Sequence, residues 1–290
     1  MFACAGGAGA QSLEGVVDLH VHFAPDVVGR SVDALELARI ARARGMRAMV
    51  LKNHYEATVT SAYLARKQNP GIEVFGSITL NRSVGGVNPA AVERMIKVEG
   101  NLGKVVWMPT NDAENHVRHE KADRPFVSVA RNGQLLPEVK QVLDLIAKNG
   151  LVLGTGHSSA EEDLLLIREA KSRGIKWVIA THPMIAPVGM SLEQMKEAAA
   201  LGAFIEFPAE TVIGKGASIS AQEVSEAVRA IGADHCVLSS DLGQAGNPLP
   251  PDGLAQFFDL LRNSGVSASD IDKMAKQNPA RILGLSKGQR

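Results

Sequence analysis

Residues 151–182 read LVLGTGH SSAEEDLLLIREAKSRG IKWVIATH, and this stretch contains one complete strand–helix–strand unit. Its two apolar runs, Leu151–His157 and Lys176–His182, predict strands, and the charged, helically periodic segment between them predicts a helix. Ser159 with Glu162 is a capping-box signal for the start of that helix, and Gly174 suits its left-handed end. Strands joined through a helix are the repeating unit of a parallel sheet.

The same rhythm continues in both directions along the chain. We predict six further strands: Val16–His22, Ala48–Asn53, Glu73–Leu80, Lys104–Met108, Ala203–Pro208 and Cys236–Asp241. Capping-box signals recur at Ser191 with Gln194 and at Ser220 with Glu223, and stop signals recur at Gly45, Gly150, Gly202 and Gly232. Eight evenly spaced strand–helix units without a glycine-rich first turn favour an α/β fold of the (β/α)8 type, a TIM barrel, over a doubly wound open sheet.

Length and composition fit one globular domain. The chain has 290 residues, 45% of them hydrophobic and 21% charged. Lys plus Arg and Asp plus Glu both count 31, so no cationic excess favours a nucleic acid or an anionic membrane as partner. Only two cysteines are present, Cys4 and Cys236, too few for a disulfide framework or a thiolate zinc site, so we interpret both as structural or incidental.

The chain start predicts a flexible segment over residues 1–15, followed by one domain over residues 16–285. The glycines Gly6, Gly7 and Gly9 follow no strand, so they do not indicate a dinucleotide site. No basic, apolar leader and no span long enough for a bilayer occurs, so we expect a cytoplasmic protein with a small-molecule substrate, and homo-oligomers remain open.

One segment breaks the rhythm, residues 110–137 after the fourth strand. It is too long for a plain connection and predicts an insertion that acts as a flap over the barrel mouth. Within it, Arg131-Asn132-Gly133 predicts a hairpin turn. Its basic residues are interleaved with acids, so a solvated loop is the alternative interpretation.

Ligand-type side chains stand at the ends of four predicted strands: His20 and His22, His157, His182, and Asp241. In a (β/α)8 barrel the site lies at these carboxyl ends. His20 and His22 are two apart on a strand, so both imidazoles point inward and can bind one cation. Imidazoles and a carboxylate suit zinc, and also manganese, iron or nickel.

Such a metal lowers the pKa of a bound water and so generates hydroxide. Asp241, beside that water, would take its proton and later give it to the leaving group. A Ser–His–Asp triad is the alternative, because four serines lie beside the predicted ligands: Ser158, Ser159, Ser239 and Ser240. It is disfavoured, because Ser159 is a helix cap and no Gly-x-Ser-x-Gly elbow occurs.

The motif order resembles the amidohydrolase superfamily of metal-dependent hydrolases over nearly the whole chain. The motifs that support this resemblance are Asp18-Leu-His20-Val-His22, His157, His182, Ser240-Asp241 and the closing Asn278-Pro-Ala-Arg-Ile-Leu-Gly-Leu285. The resemblance implies metal ligands at His20, His22, His157 and His182, and a ligand and proton shuttle at Asp241. We expect hydrolysis of a C–N bond in an amide or cyclic amide, or of a lactone, because a metal polarises the carbonyl that hydroxide attacks.

One departure concerns the bridge between two metals, which members of the superfamily usually supply from strand four as a carboxylated Lys or a Glu. Here that strand ends Trp107-Met-Pro-Thr110. Lys52, at the end of strand two, is either a bridging ligand from an unusual strand or a cation that orients the substrate. Without a bridge the site resembles mononuclear decarboxylases of the superfamily, in which His182 would act as a proton shuttle.

Two further expectations concern ligands and class. Arg118, Arg124 and Arg131 of the flap, with His54 near Lys52, are predicted to bind a carboxylate of a small substrate, because the guanidinium fork matches that group. A binding or scaffold protein that has lost catalysis on this fold is the alternative of another class, and the complete ligand set argues against it.

Overall fold

The computed structural model describes residues 13–285, and ten strands lie within that range. Their bounds are β1 (Val17–Val21), β2 (Ala48–Leu51), β3 (Glu73–Thr79), β4 (Gly103–Trp107), β5 (Ala130–Arg131), β6 (Gln134–Leu135), β7 (Val152–Gly154), β8 (Trp177–Ala180), β9 (Phe204–Pro208) and β10 (Cys236–Ser239). Eight of them form one parallel sheet in the order β1-β2-β3-β4-β7-β8-β9-β10, and β5 and β6 form a separate antiparallel pair.

The parallel sheet closes between β1 and β10. Val21 and Leu242 form a parallel bridge. Beside it, the amide of His22 donates to the carbonyl of Leu242 at 2.8 Å, and the amide of Asp241 donates to the carbonyl of His20 at 2.8 Å. The predicted (β/α)8 barrel is therefore confirmed, and the open sheet is excluded.

Helices connect the strands on the outside of the barrel. Their bounds are α1 (Ala34–Ala43), α2 (Val59–Gln68), α3 (Pro89–Lys97), α4 (Glu114–His119), α5 (Pro137–Asn149), α6 (Ala160–Ser172), α7 (Leu192–Ala200), α8 (Glu210–Ile213), α9 (Ala221–Ile231), α10 (Pro250–Asn263), α11 (Ala268–Asp272) and α12 (Asn278–Ile282). The three predicted capping boxes, at Ser159, Ser191 and Ser220, are all confirmed. The five predicted stop glycines all have positive φ, from 62° to 94°.

The strands are shorter than predicted at their carboxyl ends. β7 ends at Gly154, β8 at Ala180 and β10 at Ser239, so the ligand-type residues lie in the turns that follow. The turn after β7 depends on Gly156, whose φ is +72°. A Cβ at this position would lie 2.4 Å from the Pro109 carbonyl oxygen, so the close approach of the two strand ends requires glycine.

Residues 110–137 contain the short helix α4 and the β5–β6 hairpin. The predicted hairpin turn is confirmed, because Asn132 and Gly133 have φ of 52° and 73°, the pair of positive values that a type I′ turn needs. The hairpin joins the segment to the start of α5. The amide of Val127 donates to the carbonyl of Asp112 at 2.7 Å, which joins the segments before and after α4.

Both ends of the described chain pack at the base of the barrel. Leu13 is 1% exposed, and its amide donates to the Arg44 carbonyl at 3.0 Å. Residues 1–12, which carry most of the predicted flexible segment, the glycine patch and Cys4, lie outside the described residues. At the other end Asn278 donates through Nδ2 to the carbonyls of Ala233 and Cys236, both at 2.8 Å, and so fixes α12 to β10. None of the helices between residues 13 and 285 is long and apolar enough to cross a membrane.

Candidate metal centre

The end of β1 and the turn after β10 bring three ligand-type residues together. Nε2 of His20 lies 2.9 Å from Oδ1 of Asp241, and Nε2 of His22 lies 3.0 Å from the same oxygen. Both imidazoles are buried, and the Asp241 side chain is 15% exposed. One atom from each of the three residues lies within 4.8 Å of the others, which is a spacing that one metal ion can bridge.

A second pair of imidazoles stands beside this group. Nε2 of His157 lies 3.2 Å from Nε2 of His182, and both side chains are buried. The ring centroids of His20 and His182 are 6.3 Å apart, so the two groups are neighbours in one pocket. The structure therefore brings all five strand-end residues of the sequence prediction to one side of the barrel.

Lys52 reaches this pocket from the end of β2. Its Nζ lies 2.7 Å from Nε2 of His20 and 4.7 Å from the centre of the Trp107 ring. Lys52 is 1% exposed, so it is not a solvated strand-end lysine. Burial lowers the pKa of Lys52, although the negative charges of Asp241 and Glu206 act in the opposite direction.

Two of the clustered residues have backbone conformations that L-residues rarely adopt. The φ of His182 is 28° and that of Asp241 is 48°. Positive φ at residues other than glycine stores strain that the surrounding structure must hold, and it occurs often at functional sites. Gly243 also has a positive φ, of 127°. A Cβ at this position would lie 2.1 Å from the His22 carbonyl oxygen, so only glycine fits.

Glu206 on β9 orients two of the histidines and was not predicted from the sequence. Its Oε1 accepts hydrogen bonds from Nδ1 of His20 at 3.0 Å and from Oγ of Ser239 at 2.8 Å. Its Oε2 accepts from the amide of His182 at 3.2 Å. Since a carboxylate only accepts, Nδ1 of His20 must carry the proton, and Nε2 faces the cluster.

The pKa values of the cluster follow from burial and from these contacts. Burial alone would lower the pKa of His20, but the negative charges of Asp241 and Glu206 outweigh burial and raise this pKa to about 9. Burial alone would raise the pKa of Asp241, but the charge of His20 and the hydrogen bonds from His20 and His22 hold it well below its usual range. Burial lowers the pKa of His22 and of His182 to about 4.

The donor set fits a divalent metal. With Nδ1 of His20 donating to Glu206, a neutral His20 would turn a lone pair on Nε2 towards the Asp241 oxygen 2.9 Å away, so a proton or a cation must lie between these atoms. Ligands of one zinc ion at about 2.0–2.2 Å from it stand roughly 3–3.5 Å apart, close to the separations here. Nδ1 of His22 and Nδ1 of His182 have no hydrogen-bond partner among the described residues, whereas the Nε2 atoms face Asp241 and His157, respectively.

A further acidic residue, Glu210, lies at the same mouth of the barrel. Glu210 follows β9, and its amide donates to the Ser240 carbonyl at 3.0 Å. Burial and then the charge of Asp241 raise the pKa of Glu210 to about 7. Neither Glu210 nor Glu206 belonged to the predicted site. Glu206 did carry a signal, because it is the one acid in the apolar strand Phe204-Ile-Glu-Phe-Pro208.

His54 packs against the cluster, and the flap arginines lie further out. The ring of His54 stacks on that of His22 with centroids 4.8 Å apart, and its Nδ1 lies 2.8 Å from Oγ1 of Thr110. Arg118 pairs with Glu114 at 2.6 Å and is 66% exposed. Arg118 and Arg131 line a cavity of about 590 Å³ between the flap and α6, whose lining includes none of the five strand-end residues.

Arg124 is held inside the flap. It donates to Asp112 and to Glu120, both at 2.9 Å, and to the Asn111 carbonyl at 2.7 Å. The flap also approaches the metal cluster directly, at a residue that the prediction left out. Nδ1 of His116 lies 2.8 Å from Nδ1 of His157.

Comparisons with known proteins agree on the fold. A model described as a family of unknown function, DUF6282, matches residues 15–206, about two thirds of the chain. No curated protein sequence matches. Solved structures with the same fold include an amidohydrolase from Burkholderia multivorans with bound zinc, at 16% identity and a TM-score of 0.62, covering 93% of this chain and 99% of that one.

Two further solved structures with this fold have names that indicate different reactions. A phosphotriesterase from Mycobacterium tuberculosis has 17% identity and a TM-score of 0.59, with 93% of this chain and 94% of that one covered. A 2,6-dihydroxybenzoate decarboxylase from Rhizobium has 14% identity and a TM-score of 0.52, with 94% and 99% covered. At these identities the likeness is one of fold, and the fold is that of the amidohydrolase-superfamily structures that the motifs resemble.

Proposed function

We propose that this chain, which belongs to the family of unknown function DUF6282, is a metal-dependent hydrolase that cleaves an amide, a cyclic amide or a lactone in a small carboxylate-bearing substrate. One observation carries the proposal. The Nε2 atoms of His20 and His22 meet the Asp241 carboxylate within 3.0 Å, and those of His157 and His182 meet each other at 3.2 Å, at the carboxyl ends of the barrel strands.

We assign His20, His22 and Asp241 to one ion and His157 and His182 to a second. Zinc is the metal we propose, and the zinc in the Burkholderia multivorans amidohydrolase supports it. Manganese, iron and nickel are metals that the same ligands accept. When bound, such an ion supplies an activated water and a polarised carbonyl.

Asp241 is the residue to which we assign proton transfer. Burial alone would raise the pKa of Asp241, but His20 and His22 hold it low. The carboxylate is therefore ionised and can accept a proton. Oδ1 faces His20 and His22, at 2.9 and 3.0 Å. Oδ2 takes part in neither contact and is the atom that would receive the proton of the attacking water and return it to the leaving group.

Lys52 is the residue to which we assign the bridge between the two ions. A neutral amine attacks carbon dioxide through its nitrogen, forms an N–C bond and releases one proton, which leaves a carbamate with two ligand oxygens. Burial lowers the pKa of Lys52 and so favours the neutral amine. The other role we consider is a cation that orients the substrate, since Nζ lies 2.7 Å from His20.

The carboxylate of the substrate is assigned to guanidinium groups of the flap, which lie outside the group of five strand-end residues. Arg118, Arg124 and Arg131 belong to the flap, and we propose that at least one of them, with His54, contacts the substrate. Arg30 is a further candidate on the loop after β1. Its side chain is 3% exposed and pairs with Asp26 at 2.6 Å.

A decarboxylase is the second candidate, and a specific observation favours it. Strand four presents the buried ring of Trp107 to the pocket, 5.0 Å from the ring of His20, where a bridging carboxylate would be needed for two ions. A mononuclear site of His20, His22, His157 and Asp241 would then leave His182 to move a proton. In that case the reaction releases carbon dioxide.

The test is a panel of amides, cyclic amides, lactones and aryl carboxylates with the metal-loaded protein, scored separately for ring opening and for carbon dioxide. Hydrolysis with stoichiometric metal supports the proposal. Carbon dioxide release without hydrolysis supports the decarboxylase. A protein that takes up no metal, even after refolding with zinc, is a binding or scaffold protein and refutes both.

A further inference from the structure

A line of three side chains connects the surface of the flap to the metal cluster. Oε1 of Glu120 lies 3.1 Å from Nε2 of His116, and Nδ1 of His116 lies 2.8 Å from Nδ1 of His157. The ring centroids are 4.8 Å apart and the ring planes are within 19° of parallel. The line continues to His182, because Nε2 of His157 faces Nε2 of that residue.

Hydrogen-bond chemistry allows one proton arrangement when His157 presents a bare Nε2 to a metal. His157 then carries its proton on Nδ1, which donates to Nδ1 of His116. His116 accepts there, so its own proton is on Nε2 and donates to the carboxylate of Glu120. An ionised Glu120 accepts and cannot donate. Every hydrogen bond between Glu120, His116 and His157 is therefore made with both imidazoles neutral.

The flap is built to hold this line in place. Asn115 donates through Nδ2 to the carbonyls of His157, at 3.1 Å, and of Pro187, at 2.8 Å, so α4 is fixed to the backbone at the ligand. Glu120 is in turn held by Arg124 at 2.9 Å. Arg124 thus has a role in the flap that does not depend on a substrate.

We propose that His116 and Glu120 are positioning residues that fix the tautomer and the ring orientation of His157, so that the flap helix is part of the metal centre. The inference rests on the proposed function in one respect, namely that His157 is a ligand. Hydrogen-bond partners of this kind typically set metal affinity by about 10- to 100-fold. A flap that merely covers the barrel would have no such effect.

Two substitutions separate the contacts of His116. Asn places an amide oxygen where Nδ1 was, so His116→Asn keeps the acceptor for His157 and loses Glu120. Gln reaches the Nε2 position, so His116→Gln keeps Glu120 and loses the acceptor for His157. The matched control is His119→Asn, since His119 is on the same helix and exposed.

The first measurement uses the metal-free protein and needs no substrate. Nitrogen-15 spectra of the histidine rings should show His157 protonated on Nδ1 and His116 protonated on Nε2. In His116→Gln the signal of His157 should become a mixture of tautomers. His157 protonated on Nε2 in the parent protein would overturn the inference.

The second measurement is zinc affinity by competition with a chromophoric chelator. We expect His116→Gln to bind zinc about 10- to 100-fold more weakly than His116→Asn, while the control His119→Asn stays within about threefold of the parent. Equal affinity for the Asn and Gln variants, or no loss in either, would overturn the inference. A parent protein that binds no zinc defeats the proposed function instead, and the spectra still decide the tautomer.

Discussion

Glu206→Gln is the substitution that tests the geometry of the cluster most directly. Glu206 accepts three hydrogen bonds inside the barrel, from His20 and Ser239 at Oε1 and from the amide of His182 at Oε2. A glutamine has the same shape but offers one accepting oxygen and one donating amide. Whichever way it turns, at least one of the three buried donors faces another donor.

The magnitude follows from which donor is left without an acceptor. If the amide turns towards the backbone of His182, an unsatisfied buried donor costs about 1–3 kcal/mol. If it turns towards His20, that ring must accept at Nδ1, and its proton moves to Nε2, the atom that we assign to the metal. In that second orientation the expected loss of zinc affinity is about 10- to 100-fold, or roughly 1.4–2.8 kcal/mol.

The assay is chelator competition with purified, metal-free protein, accompanied by urea unfolding to separate metal affinity from fold stability. Glu226→Gln serves as the control, because Glu226 is exposed on α9 and contacts only Gln222, at 2.9 Å, among the hydrogen bonds described. If Glu206→Gln matched the parent both in zinc affinity, within twofold, and in stability to urea, neither orientation of the amide would carry its expected cost, and Glu206 would not hold His20 and His182 as inferred.

Three other substitutions have definite expectations. Asp241→Asn should keep most of the metal and lower the turnover by about 10²–10⁴, measured with the best substrate of the panel, and unchanged turnover would remove Asp241 from the mechanism. Lys52→Ala should lose about half of a two-metal content and recover in part with added formate or acetate if Lys52 is a carboxylated bridge; unchanged metal content would make Lys52 a substrate-orienting cation. Burial raises the pKa of Asp163 well above its usual value, against the hydrogen bond from Thr155. The folded state therefore holds that proton more tightly than the unfolded state, and its contribution to stability is lost as pH rises through the folded pKa. Asn cannot ionise, so the stability of Asp163→Asn relative to the parent, measured by urea unfolding, should increase from pH 5 to pH 8, and a constant difference would contradict the raised pKa.

The barrel was predictable because its determinants are local. Strand runs such as residues 176–182, the capping serines and the stop glycines act over a few residues, and each signal favours the same alternation of strand and helix. The strand ends were overestimated for a physical reason. The residues after β7 and β8, Thr155–His157 and Thr181–His182, are buried at the mouth like the strands before them, so the sequence pattern does not mark where the ladder ends.

The residues that support the cluster were not predictable in the same way. Glu206 and His20 are separated by 186 positions and meet only because β1 and β10 close the barrel. His116 and His157 are separated by 41 positions, and the path of the flap between them follows no periodic pattern. Strand periodicity fixes which side chains point inward, whereas the partner of each side chain depends on closure and on the insertion.

The end of β4 depends both on the local sequence and on residues that are distant in the chain. This strand has no ligand at its end, and in its place the ring of Trp107 packs 5.0 Å from His20 and 4.7 Å from Nζ of Lys52. An ammonium or amine on β2 can therefore reach the space that a strand-four ligand would fill in the resembled enzymes. The loop that follows the same strand carries His116, which contacts His157. The missing ligand, the buried lysine and the long flap are thus three parts of one arrangement. Because they contact the same cluster, substitutions at Trp107 and Lys52 should show coupled rather than additive effects on metal content.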